Sequence, residues 1–163
     1  MAALRLAALC MPALLLLAPG ASMAQGSGFG LGIIAGEPTG LSAKIWLSHK
    51  SALDLAAAWS FADETAMHLH GDYVAHFFDL IKVSKGQLPL YAGVGARVKF
   101  GEHDEFVGIR VPVGLAYLFA GVPVDAFVEI VPILELTPET ELRLNAAIGA
   151  RYFFGSGKSG SAP

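Results

Sequence analysis

From Glu141 to Phe154 the chain alternates with a period of two. One face reads Leu142, Leu144, Ala146, Ile148, Ala150, Tyr152 and Phe154, and the other reads Glu141, Arg143, Asn145, Ala147, Gly149, Arg151 and Phe153. Side chains change face at every residue of an extended strand, so this segment reads as a strand with one apolar and one polar side, and not as a helix. The same alternation recurs between clusters of turn-forming residues. It predicts strands near 28–35, 41–48, 52–61, 65–77, 88–100, 106–120, 124–136 and 141–154. The stretch from Val111 to Val124 is free of charge, but Pro112 and Pro123 argue against a helix there.

The charges obey the same period. The apolar faces, such as Leu53, Leu55, Ala57, Trp59 and Phe61, carry none. The opposite faces carry Lys44, Asp54, Asp72, Arg97, Lys99, Arg110, Asp125, Glu129, Glu135, Glu141, Arg143 and Arg151, six positive and six negative. A soluble sandwich or lipocalin-like barrel would turn those charges to water. Here, however, the polar faces are about half small residues, among them Gly30, Gly32, Ala56, Ala58, Gly93, Gly95, Gly114, Ala147 and Gly149. Small residues interleaved with opposite charges suit a narrow closed interior, in which long side chains need gaps and charges need partners. Outward Leu, Val, Ala and Ile with aromatics near the strand ends (Trp59, Phe61, Phe100, Tyr117, Phe119, Tyr152, Phe154) suit a lipid-facing band. The expected fold is all-β: an eight-stranded antiparallel up-and-down transmembrane β-barrel.

The first 24 of the 163 residues hold 19 apolar ones, a part of the 54% apolar content. Arg5, the apolar run Leu6 to Leu17, and the small residues Ser22 and Ala24 form the pattern of a cleaved export signal of the Sec route. The run is shorter than the roughly 18 residues a membrane helix needs, and Pro12 and Pro19 interrupt it. Its Cys10 is the chain's one cysteine, so the mature protein is expected to hold no disulfide. The chain divides into a signal peptide (1–24), an outer-membrane barrel (25–154) and a flexible tail of small residues (155–163). A net charge of −3 with no basic stripe offers nothing to a nucleic acid.

Three segments carry a resemblance. Leu31-Gly32-Ile33-Ile34-Ala35-Gly36-Glu37-Pro38-Thr39-Gly40-Leu41, His68-Leu69-His70-Gly71-Asp72-Tyr73 and Val111-Pro112-Val113-Gly114-Leu115-Ala116-Tyr117-Leu118-Phe119, with the closing Ala147 to Phe154, resemble a poorly characterised family of short bacterial outer-membrane β-barrel proteins. The resemblance spans essentially the whole mature chain. It implies the barrel and the location, and it brings no activity, cofactor or catalytic residue.

An eight-stranded barrel is only just wide enough for its own side chains, and Trp46, Tyr91 and Phe127 point inward. The twelve polar-face charges are therefore expected to form a paired network that holds the lumen shut, with no open pore. His68, His70, Asp72 and His76 alternate on one face and are the weak candidates for a metal, although no cysteine or recurring ligand pair supports one. Ser42, Ser48 and Ser60 share the inward phase, so a lipid-modifying enzyme working through lumen serine and histidine is the alternative, without a nucleophile-elbow motif to support it. An exported soluble barrel binding a hydrophobic ligand is another. No cofactor is expected, and no catalytic residue is assigned.

Connections alternate between the two barrel ends. One end gathers Glu37, Asp63, Glu64, Glu102, Asp104, Glu105 and Glu139 without a lysine or arginine, and the other carries Lys50, Lys82, Lys85 and Lys158 against Asp79. With both termini on the periplasmic side, the acidic rim would face outward. There, divalent cations could bridge Glu102, Asp104 and Glu105 to lipopolysaccharide phosphates. The expected partners are outer-membrane lipid, including lipopolysaccharide, and the expected state is a monomer.

Overall fold

The computed structural model describes residues 28–37, 39–60, 66–101 and 105–154. The expected signal peptide (1–24), the expected tail (155–163) and the acidic residues Asp63, Glu64, Glu102 and Asp104 lie outside them. The described residues form nine strands and no helix: β1 (Phe29–Gly36), β2 (Thr39–Trp46), β3 (Ser51–Ser60), β4 (Ala66–Phe77), β5 (Leu90–Phe100), β6 (Glu105–Arg110), β7 (Val113–Leu118), β8 (Val124–Thr137) and β9 (Glu141–Phe154). Every pairing is antiparallel. Each strand from β1 to β5 pairs with the next, β5 and β8 both flank β6 and β7, and β8 pairs with β9. Pairing of β9 with β1 closes the ring.

β6 and β7 share one place in that ring, which therefore has eight positions. The sequence predicts a single strand over 106–120, and the structure interrupts it at Val111 and Pro112. The cause is local, because proline has no N–H to give to the ladder. The Pro112 carbonyl still accepts from Gly93 at 2.9 Å, and Val111 N donates to the Pro132 carbonyl at 3.0 Å. Arg110 faces Ile133 and Val113 faces Ile130, so the ribbon passes the proline without a change of register.

Burial alternates around the ring, and its sense is inverted. On the outside Ile33 is 64% exposed, Ile148 61% and Leu142 73%, whereas inside Lys44 is 0% exposed, Arg110 1% and Arg151 2%. A globule in water does the opposite. The inward apolar residues, including Trp46, Val74, Tyr91, Leu118, Phe127 and Phe153, form one buried cluster within the ring.

Glycine makes room for these large groups. A Cβ on Gly95 would overlap the Asp72 side chain, and one on Gly149 would overlap the Phe127 ring and the Ile33 carbonyl. In so narrow a ring, a bulky inward side chain needs a small one against it. Gly149→Val is therefore expected to destabilise the barrel by roughly 1–3 kcal/mol through overpacking. Ala150→Val, on the exposed outer face, should change little. Urea unfolding followed by tryptophan fluorescence checks both, and equal midpoints for the two variants would contradict the packing described.

Candidate functional site

The interior chemistry follows from strand register. Lys44 faces Asp54 across β2 and β3, and Asp54 faces Asp72 across β3 and β4. Two carboxylates directly opposite repel unless each has its own cation. Asp54 takes Lys44 Nζ at 3.3 Å and Arg151 Nη1 at 3.1 Å, while Asp72 takes Arg110 Nε at 2.9 Å. Arg151 also donates two parallel bonds, each of 3.0 Å, to Asp125, its register partner on β8. This is the forked geometry that suits a guanidinium. The same guanidinium lies 4.2 Å from the centroid of the Phe127 ring.

The pattern continues along the interior. Arg110 reaches Glu129 at 3.4 Å, and the Tyr91 hydroxyl donates to that carboxylate at 2.9 Å. Glu135 accepts from both Arg97 and Arg143, the latter at 3.0 Å, and Arg143 continues to Glu141 at 2.9 Å. Four of these contacts skip at least one strand: Arg151 to Asp54, Arg110 to Asp72, Arg97 to Glu135 and Tyr91 to Glu129. The first passes over two strands, β1 and β2, and each of the others over one.

Of the twelve charges grouped by sequence, Lys44, Asp54, Asp72, Arg97, Arg110, Asp125, Glu129, Glu135 and Arg151 are buried. Lys99 is half-buried, with its ammonium 5.1 Å from the Phe106 ring centroid. Glu141 and Arg143 sit at the mouth with side chains 58% and 41% exposed. The reason is that β1 meets β9 only from Ala147 onward, so residues 141–146 project beyond that neighbour.

His68, His70, Asp72 and His76 all turn into the ring, but their contacts diverge. Asp72 is committed to Arg110. His76 accepts from Lys44 Nζ at 2.9 Å and packs against Trp46 and Tyr91, with centroids 4.5 and 5.4 Å away. Both ring nitrogens of His68 are buried with no partner among the described residues. No group of three or more metal-ligating side chains converges among the described residues.

Ser42 is buried, but Ser48 is not a lumen residue. β2 ends at Trp46, and the following turn leaves Ser48 exposed, 2.7 Å from Ser51 Oγ. The side chain of Ser60 lies outside the described residues, and no hydrogen bond joins Ser42 to a histidine among those described. Of the acidic rim, Glu37, Glu105 and Glu139 are described, and all three are exposed.

One feature escaped the strand pattern. Phe78 and His49, both in connections, stack at 5.2 Å, and Phe78 lies 6.4 Å from Trp46 and 6.1 Å from His76. With Tyr91 they form an aromatic cluster at the end of the ring opposite the acidic rim. Period-two reading covers strands only, so it could not place these two loop residues.

Removing one partner from a buried ion set strands the others. Arg151→Met should therefore cost roughly 3–5 kcal/mol by leaving Asp54 and Asp125 under-paired. The double variant Arg151→Met, Asp125→Asn should recover part of that loss, because it removes one of the stranded charges. Urea midpoints in detergent micelles test this, and a double variant no more stable than the single one would contradict the pairing described.

No family model and no curated protein matches the chain. Among solved structures, it is similar to the N-terminal β-barrel domain of Pseudomonas aeruginosa OprF. The match has a TM-score of 0.61 and 15% identity, and it covers 80% of this chain and 100% of that one. The likeness is one of fold: a small closed antiparallel barrel of the outer-membrane type.

Proposed function

We propose that this chain is a small bacterial outer-membrane β-barrel protein, exported by the Sec route and monomeric, with a filled, charged lumen and no open pore. Its role is structural or one of envelope interaction. The observation that carries this reading is the inverted burial. Apolar side chains stand exposed around the outside of a closed ring, and paired charges are buried within it. A closed ring leaves no unpaired strand edge, which is what hydrocarbon demands of a spanning sheet. The fold likeness to the OprF domain supports the same setting.

The strand-skipping bonds of Arg151, Arg110 and Arg97 and the aromatic cluster around His76 support a lumen closed to solutes. The two alternatives draw less support. A lipid-modifying enzyme would need a serine and a histidine in contact, and a lipocalin-like carrier would need an apolar interior where this ring holds nine charged residues.

On cell fractionation the protein should appear in the outer membrane with heat-modifiable gel mobility. Recovery from the soluble periplasm would overturn the reading. Reconstituted in a planar bilayer, the barrel should show no steady conductance, and a stable single-channel current would overturn the filled lumen while leaving the location intact.

Envelope interaction falls to the acidic rim in this reading. Glu102, Asp104 and Glu105, with Glu37, Asp63, Glu64 and Glu139, would hold divalent cations that bridge to lipopolysaccharide phosphates. Neutralising Glu102, Asp104 and Glu105 to Gln or Asn should weaken lipopolysaccharide retention in calcium or magnesium. Unchanged divalent-dependent retention would sink the idea.

A further inference from the structure

The barrel end at which β1 begins and β9 finishes has its own chemistry. Three connections meet there: residues 47–50, 78–89 and 119–123. The longest is fastened on both sides. Phe78 is stacked into the aromatic cluster, and Tyr117 Oη donates to the Lys85 carbonyl at 2.9 Å. Gln87 and Leu118 exchange backbone bonds of 3.0 and 2.8 Å, and Gly86 turns with φ +69°. Between these anchors, residues 79–84 stand out from the barrel end.

What they present is mixed in a particular way. Leu80 is 66% exposed and Val122 50%, and Val83, Leu47, Phe77 and Phe119 are exposed as well. These side chains continue the apolar outer band past the ends of the strands. Among them stand Lys50, Lys82 and Lys85, all exposed. The described residues of these three connections include one carboxylate, Asp79, and it lies 4.0 Å from Lys50. At the opposite end the described turns offer only the carboxylates Glu37 and Glu139, with Glu105 at the start of β6, and Arg143 at that mouth is paired with Glu135 and Glu141.

Leucine at two-thirds exposure beside lysines is poorly placed in water. It is well placed at the boundary between acyl chains and headgroups, where lysine stems lie along apolar surface and their ammonium groups reach anionic phosphates. We propose that the 78–89 connection, with Lys50, is a docking site for anionic phospholipid, seating this end of the barrel in its leaflet. Lys50, Lys82 and Lys85 meet the headgroup, and Leu80 and Val83 meet the first methylenes of the chain. The inference rests on the membrane-spanning reading above. Positive charge and an apolar wedge on one short, fastened segment favour a lipid over a folded protein partner, which would need a much larger surface.

Native mass spectrometry of the detergent-solubilised full barrel, titrated with phosphatidylglycerol or phosphatidylcholine of matched chains, tests it. The wild type should retain phosphatidylglycerol preferentially. Each of Lys50→Gln, Lys82→Gln and Lys85→Gln should reduce that preference by about fivefold or less, as expected for one lysine near an anionic surface. Leu80→Asn should weaken both lipids alike. Thr140→Ala, in an exposed turn at the other end, should leave the preference unchanged.

No preference in the wild type, or a preference that survives the triple lysine variant, would overturn the proposal. So would co-purification of a polypeptide in place of phospholipid. Heat-modifiable mobility of the same samples keeps the two readings apart. A folded, membrane-extracted barrel without lipid preference refutes only this inference, whereas a protein soluble without detergent refutes the barrel's membrane setting.

Discussion

An eight-position ring with side chains on both faces leaves an interior little wider than the side chains it holds. Any charge that points inward loses most of its water and must find an opposite charge there. That constraint organises the rest of the structure. It explains why Arg151 is shared between Asp54 and Asp125, why Arg110 is shared between Asp72 and Glu129, and why Gly95 and Gly149 lie where Asp72 and Phe127 need space. It also explains why the bonds skip strands. A guanidinium is long enough to reach past the neighbouring strand, over one strand for Arg110 and Arg97 and over two for Arg151.

The faces of the ring were legible in the sequence because they depend on residue type and a period of two, and both survive without any knowledge of partners. The phase of Lys44, Asp54 and Asp72 and the opposite phase of Leu53, Leu55 and Trp59 needed nothing more. The pairing within the interior was not legible. Which carboxylate Arg151 meets depends on the stagger between strands far apart in the chain, and alternation carries no information about stagger. The exposure of Glu141 and Arg143 was hidden for the same reason, since it arises where β1 stops short of β9. The interruption at Pro112 was visible as a proline but not as a break, because the register from Arg110 to Val113 runs across it unchanged. Phe78 and His49 belong to connections, and their stacking depends on how two turns approach each other.

Charge along the barrel axis has a separate origin from charge inside it. The interior set is close to neutral because burial enforces pairing. The turns are in water or at a headgroup surface, where nothing enforces it, and they are free to differ. They do differ: Lys50, Lys82 and Lys85 at one end, and Glu37 and Glu139, with Glu105 at the start of β6, at the other. An asymmetry that folding does not require points to the surroundings of each end. In the proposed setting, the two leaflets of an outer membrane are such surroundings of different chemistry.

The interior charges also fix register at two levels. A slip of one residue would turn Lys44, Arg110 and Arg151 out of the ring and Leu or Ile into it. On a lipid-facing surface each such cation costs roughly 2–4 kcal/mol near the midplane. A slip of two residues would keep every side chain on its proper face, so hydrophobicity alone would not resist it. It would, however, part Asp54 from Lys44 and Asp125 from Arg151, which face each other only in the observed register. Apolar residues could fill the lumen as stably, but they would not distinguish these alternatives. In a barrel whose outer face is uniformly apolar, the buried ion pairs are what make one stagger of the strands the correct one.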